Sequence, residues 1–283
     1  MRNNSKLNQL IKAALAEDIG EGDHSTLASI DSSANGLAIL KIKEAGVLAG
    51  VEVAEEIFNY MQPDTVFTAF KKDGDDMQPG EVAFEVQAKV HTILQCERLV
   101  LNSMQRMSGI ATLTRSFVQK LKPYHTRLLD TRKTTPNFRL LEKEAVRIGG
   151  GTNHRFGLYD MIMLKDNHID YCGGIEKAIE KARQYVQKHK PGLRIEVETR
   201  SLEDVEKVLA TGKVDVIMLD NFTPAAVSEA LALINGRIQT EASGGIHINN
   251  IIDYAATGVD FVSVGGLIHQ ARSLDLSLKA KII

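Results

Sequence analysis

The sequence lacks most of what would place it outside a reducing, aqueous setting. It has only two cysteines, Cys96 and Cys172, and no Cys-x-x-Cys pair, which excludes a disulfide framework and a ribbon-type zinc site. No apolar run approaches the ~18 residues that a membrane span requires. The opening MRNNSKLNQL is polar and has no secretory-signal core, so a reduced cytoplasmic protein is expected. Surplus positive charge is absent too: 34 Lys+Arg stand against 36 Asp+Glu, a net charge of -2. Nucleic acids and anionic membranes both select a cationic excess, so neither is an expected partner. There is no internal repeat and no low-complexity segment. What remains is 283 residues, 43% of them hydrophobic, enough for one large α/β domain or two medium ones.

Hydrophobic spacing divides the chain. Leu7, Leu10, Ile11, Ala14 and Leu15 predict an amphipathic helix over 5–18. GLAILKIK (36–43), TVFTAFKK (65–72) and EVAFEVQA (81–88) read as strands, with a helix over 51–61 and a Pro79-Gly80 turn. This part is α+β with an antiparallel flavour. A long helix covers about 93–121, weakest at Ser108-Gly109, and a domain hand-over is expected within it. After Pro123 short apolar runs alternate with helical segments: RLLD (127–130), MIML (161–164), RIEVE (194–198), VDVIML (214–219), RIQTEA (237–242) and VDFVSV (259–264). The last four begin 20, 23 and 22 residues apart, room for a strand, a tight loop and a three-turn helix. Ser201 with Asp204, and Thr223-Pro224, supply helix starts. Repeated βα units imply a parallel sheet, open or closed into a barrel.

Each of these strands is followed by polar residues. Thr131-Arg132-Lys133, Lys165-Asp166-Asn167-His168, Glu198, Asp220-Asn221, Ser243-Gly244-Gly245 and Gly265-Gly266 occur in turn. In βα barrels such strand ends form the active-site face. Residues 131–165 carry seven Lys/Arg against three acids, a local excess of four. Arg139, Lys143 and Arg147 with Glu142 and Glu144 have the spacing of a solvated helix surface. Arg132, Lys133, His154, Arg155 and Lys165 sit instead at strand ends or in GGGTNHRFG (149–157), and clustered guanidinium forks suit a planar anion. The two Gly pairs each precede a predicted helix, whose bare N–H groups favour phosphate. Glu198 and Asp220, ending adjacent strands, suit either Mg²⁺ or sugar hydroxyls. The alternative for them is a buried acid pair neutralised by lysines. Zinc is not indicated, because the His and Cys show no ligand spacing.

These residues resemble a known family. DTRKTTPNFRLLEKEAVRIGGGTNHRFGLYDMIMLKDNH (130–168) is similar to the signature region of the quinolinate phosphoribosyltransferases. The likeness extends to AEDIGEGDHST (16–26), AGVLAGVEVAEEIF (45–58), CERLVLNSMQRMSGIAT (96–112), IEVETRSLEDV (195–205), VIMLDNF (216–222), EASGGI (241–246) and GVDFVSVGGLIH (258–269). The ordered set DTRKT, GGGxNHR and KDNH is highly specific. Two small departures lie in DHST (23–26) and in one extra residue between Glu198 and Asp220.

The resemblance implies an N-terminal α/β sandwich domain, residues 1–105 joined by 270–283, and a C-terminal α/β barrel, residues 106–269. It implies a homodimer or larger homo-oligomer. The implied reaction joins quinolinate to phosphoribosyl pyrophosphate with Mg²⁺, giving nicotinate mononucleotide, pyrophosphate and carbon dioxide. By position, Arg98, Arg132, His154, Arg155 and Lys165 correspond to quinolinate-binding cations, with Arg98 reaching into a neighbouring subunit. Lys133, Glu198 and Asp220 correspond to residues that bind pyrophosphate, ribose and metal; with Lys165 they form the expected catalytic set. The expected phosphate pocket comprises Ser243, Gly244, Gly245, Ser263, Gly265, Gly266 and His269.

Two other readings compete. A phosphoribosyltransferase for nicotinate or another base, without decarboxylation, would need fewer cations than the five present. A carrier module would start from PGEVAFEVQAKV (79–90), with Lys89 as the modified residue. That requires Lys89 at a hairpin tip, and the pattern places it after a strand.

Overall fold

The computed structural model describes residues 5–281. The chain folds into two compact units. The first takes in the chain up to Arg115, Thr134–Gly150 and the chain from Leu267, and the second takes in Ser116–Lys133 and Gly151–Gly266.

The first unit begins with α1 (Ser5–Ile19) and α2 (His24–Ser29), followed by β1 (Asn35–Ile42), β2 (Gly46–Val47), α3 (Val51–Met61), β3 (Val66–Ala69), β4 (Asp76–Met77) and β5 (Val82–Lys89). Its main sheet has the order β3, β5, β1 and then the last strand, Leu276–Lys281, and all three pairings are antiparallel. α3 presents Val53, Ala54, Ile57 and Phe58 to the core. There Phe58 meets Phe84 of β5 edge-on at 6.4 Å, and Phe67 of β3 stacks on Phe84 at 4.4 Å. β5 runs directly into α4 (Val90–Leu121), so Lys89 is not at a hairpin tip and the carrier reading fails.

α4 is continuous through Ser108-Gly109. The helix accepts this weak pair because both residues serve packing. Ser108 Oγ accepts the Ala49 N–H at 3.0 Å, and a Cβ at Gly109 would collide with the Arg272 carbonyl.

In chain order there follow β6 (Arg127–Leu129), α5 (Arg139–Ile148), β7 (Ile162–Leu164), α6 (Asp166–Cys172), α7 (Ile175–His189), β8 (Ile195–Thr199), α8 (Leu202–Thr211), β9 (Val216–Asp220), α9 (Pro224–Ile234), β10 (Gln239–Ser243), α10 (Ile251–Ala255), β11 (Phe261–Ser263), α11 (Gly266–His269) and β12 (Leu276–Lys281). α8 starts on Ser201, whose side chain accepts the Asp204 N–H, and α9 on Thr223 with Pro224 next. α5 corrects the reading of its charges as a solvated face. Glu142 is fully buried and Lys143 nearly so. The Arg106 guanidinium and the Thr135 N–H and hydroxyl all donate to Glu142, at 2.8–3.0 Å. Only Arg147, paired with Glu144, behaves as a surface charge.

The second unit is a six-stranded parallel sheet in the order β6-β11-β10-β9-β8-β7, with a further parallel bridge from Leu129 of β6 to Thr152. All five residues of β8 are buried, so both sheet faces are covered. Period two sends Ile195, Val197 and Thr199 one way and Glu196 and Glu198 the other. Registers align Glu198 with Met218 and Met218 with Glu241. The Glu196 and Glu241 side chains, from strands separated by β9, both reach one imidazole. The sheet therefore curves around an interior, as in a barrel. No helix among the described residues is long and apolar enough to cross a membrane.

Candidate active site

The interior opens at the carboxyl ends of the strands into a cavity of about 640 Å³. Arg132 and Lys133 enter from the loop after β6, His154 and Arg155 from the turn after Thr152, and Lys165 from the end of β7. Glu198, Asp220, Ser243, Ser263 and Gly265 line the rest from β8, β9, β10 and the end of β11, with Gly244 and Gly245 beside them. Arg98, Gly266 and His269 are not lining residues. Arg98 lies exposed on α4, and His269, also exposed, ends α11.

Four cations, Arg132, Lys133, Arg155 and Lys165, share the cavity with four acids, Asp130, Glu198, Asp220 and Glu241. Lys165 Nζ donates to Glu198 Oε2 at 3.3 Å. Arg155 donates to the Met161 carbonyl at 3.3 Å. Burial first, and then the nearby charge of Arg132, hold the Arg155 guanidinium below its ordinary value, while Glu196 works in the opposite direction. Asp220 accepts from the Asn221 side chain at 2.7 Å.

His154 is held on both ring edges. Its Nε2 stands 3.1 Å from Glu196 and 3.2 Å from Glu241, and its Nδ1 accepts the Arg155 N–H at 2.7 Å. Burial opposes a charge on the ring, but the Glu196 and Glu241 carboxylates beside Nε2 prevail and push its pKa up to about 9. Burial first, and then the neighbouring Glu241, raise Glu196 well above the ordinary carboxylate range. Glu196 and Glu241 escaped the sequence reading, which took the last polar residue of each strand. They sit one step deeper on the same face, two residues before Glu198 and Ser243, and that period-two spacing was the available signal. Asp130 was also missed. It is fully buried and accepts from the His154 N–H at 2.8 Å and the Asn153 side chain at 2.7 Å.

His154, Glu196 and Glu241 are also, among the described residues, a group close enough to share one metal ion. Linear ligand spacing could not reveal it, because the three come from separate segments: the turn after Thr152, β8 and β10. Glu198 and Asp220 offer a different donor set, two carboxylates on neighbouring strands at the cavity wall.

The glycine loops differ from the expected helix starts. Residues 246–250 separate the Gly244-Gly245 pair from α10, which begins at Ile251. The pair forms a left-handed bend, with φ of 88° and 65°. A Cβ at Gly244 would strike the Asn221 side chain, so the close approach of β9 and β10 ends requires glycine there. Gly265 does directly precede α11.

Residues 110–279 match the model of the quinolinate phosphoribosyl transferase C-terminal domain, and residues 23–108 that of its N-terminal domain. The chain belongs to the quinolinate phosphoribosyltransferase family. The probable nicotinate-nucleotide pyrophosphorylase (carboxylating) of Bacillus subtilis is 44% identical over 98% of this chain and 94% of its own. The mitochondrial quinolinate phosphoribosyltransferase (decarboxylating) 2b of Nicotiana tabacum is 41% identical over 96% of this chain and 82% of its own. Among solved structures, NadC from Streptococcus pyogenes superposes with a TM-score of 0.91 at 43% identity, covering 98% of this chain and 97% of that one.

Proposed function

We propose that the protein transfers the phosphoribosyl group of phosphoribosyl pyrophosphate to quinolinate with loss of carbon dioxide, forming nicotinate mononucleotide and pyrophosphate for de novo NAD synthesis. The observation that carries this reading is one cavity in which Arg132, Arg155 and Lys165 face Glu198 and Asp220, beside the Gly244-Gly245 loop. The ligand it suits has a compact polyanionic end, a ring and a phosphate.

In this reading Arg132, Arg155 and Lys165 bind the two pyridine carboxylates, with His154 lining the same cavity. The bend at Ser243–Gly245 and the Ser263–Gly265 segment offer hydroxyls and backbone N–H groups to the 5-phosphate. Lys133, exposed at the mouth, meets the pyrophosphate. Glu198 and Asp220 are the residues that would hold Mg²⁺, whose chemistry there is to neutralise charge on the departing pyrophosphate. The donor set fits: two carboxylate oxygens at a cavity wall suit a hard cation that keeps substrate phosphates among its ligands. The same carboxylates favour positive charge growing on the ribose as the ring nitrogen attacks. No enzyme nucleophile is needed, so orientation by fixed cations supplies much of the acceleration. Once the nitrogen is quaternary, the adjacent ring carbon can release carbon dioxide, because the cationic ring stabilises the electron pair left behind.

A dimer or larger homo-oligomer belongs to the same reading. Arg98 lies outside the cavity lining and is exposed one turn beyond exposed Leu94, in keeping with a side chain that completes a partner's site. The test is incubation with quinolinate, phosphoribosyl pyrophosphate and Mg²⁺, followed by analysis for nicotinate mononucleotide. A nucleotide that keeps every carboxylate would favour the non-decarboxylating alternative.

A further inference from the structure

Three buried acids in the barrel interior have no part in the substrate contacts above: Asp130, Glu196 and Glu241, each at most 1% exposed. Acids so deep are costly to bury unless their charge is used. All three converge on one turn. Asp130 takes the backbone N–H of His154 and the side chain of Asn153. Glu196 and Glu241 take the outer edge of the His154 ring, and the inner edge takes the Arg155 N–H. Nε2 carries a proton whether the ring is charged or neutral, so the ring points at the acids in both states. His154 is thereby tied to the acids through Nε2 and to Asp130 through its own backbone N–H, while Nδ1 takes the Arg155 N–H only in the neutral ring.

What this tie holds is Arg155. Its guanidinium lies within the repulsive field of Arg132, and two cations side by side drift apart unless something fixes them. The guanidinium donates to the Met161 carbonyl at 3.3 Å. The remaining constraint comes through the backbone, because Arg155 directly follows His154 in the turn that Asp130 holds by the His154 N–H. Glu196 and Asp160 also contribute compensating charge.

We propose that Glu196 and Glu241 are positioning residues, which lock His154 so that Arg155 is held with Arg132 in the cavity that takes the two carboxylates. This rests on the quinolinate reading above. Glu241 reaches the cavity lining and Glu196 does not; both act through His154 on the cation pair. Preorganisation of this kind lowers the ordering cost of binding and leaves the chemical step alone.

The experiment compares full-length wild type, Glu241→Gln, Glu196→Gln, His154→Gln and the His154→Gln/Glu241→Gln double variant. Wild-type turnover of quinolinate tests the function by itself and is measured first. The expected result for Glu241→Gln is a quinolinate KM raised about 10-fold or more, with kcat and the phosphoribosyl pyrophosphate KM within about threefold. Glu196→Gln behaves alike and stands in should the other not fold. In the His154→Gln background Glu241→Gln adds less than about twofold, because the acid acts through the missing ring. An unchanged quinolinate KM in active, folded variants overturns the proposal, as do losses that multiply in the double variant. A stoichiometric metal in the purified wild type that disappears in Glu241→Gln also overturns it, since the group would then be a metal site.

Discussion

Lys165 Nζ lies 3.3 Å from Glu198 Oε2, a cation at the end of β7 held by an acid of β8. The lysine is about half exposed and the acid nearly buried, at 47% and 10% of their side chains, so Lys165 is the mobile partner. In the proposed function an arriving carboxylate would compete with Glu198 for it, and a metal held at Glu198 would release it.

Glu198→Gln therefore separates binding from chemistry. Quinolinate affinity measured by calorimetry stays within about threefold of wild type or tightens, because Lys165 is freed. Turnover falls by about 100-fold or more, because an acid facing the ribose is lost. A large loss of quinolinate affinity with turnover intact would contradict the assignment.

Arg132→Ala and Arg155→Ala each remove a guanidinium fork. Quinolinate affinity drops by about 100-fold or more in either variant, while binding of phosphoribosyl pyrophosphate changes by less than about threefold. Near-normal quinolinate affinity in both variants would remove these residues from the site.

Arg98 provides a test of assembly. Mixing inactive Arg98→Ala with inactive Lys165→Ala restores activity if Arg98 serves a partner's cavity, since a mixed dimer holds one intact site. Random exchange of equal amounts then gives about a quarter of wild-type activity. No recovery after subunit exchange, verified by native mass spectrometry, would place Arg98 in its own chain's service or outside the site.

His154 gives a pH signature. Its pKa is raised from 6.5 to about 9, so its charge contributes stability that is fully present below pH 6.5 and lost as pH rises through about 9. Urea unfolding of wild type and His154→Asn is expected to show a difference that shrinks between pH 6.5 and 10, by on the order of 3 kcal/mol. A flat difference would mean that the ring is neutral throughout, held by the Arg155 N–H on Nδ1.

Much of this architecture was legible. The apolar runs at 194–198, 214–219 and 237–242 became β8, β9 and β10 within two residues, because buried parallel strands have little else to be. The strand-end residues Arg132, Lys165, Glu198 and Asp220 meet in one cavity for the same reason: parallel strands deliver their carboxyl ends to one rim. What stayed hidden depends on contacts between distant segments. The buried state of Lys143 and Glu142 has no local sign, since a helix face rich in charge ordinarily faces water. β2 and β4 are two residues each and exist only as partners of one another. The Glu196–His154–Glu241 group required knowing that β8 and β10 curve toward the same turn.

The most direct test of the central claim uses quinolinate labelled at the carboxyl beside the ring nitrogen. With phosphoribosyl pyrophosphate and Mg²⁺, the account predicts labelled carbon dioxide and nicotinate mononucleotide in equal amounts. Folded protein that yields neither, or a nucleotide that retains the label, would contradict it.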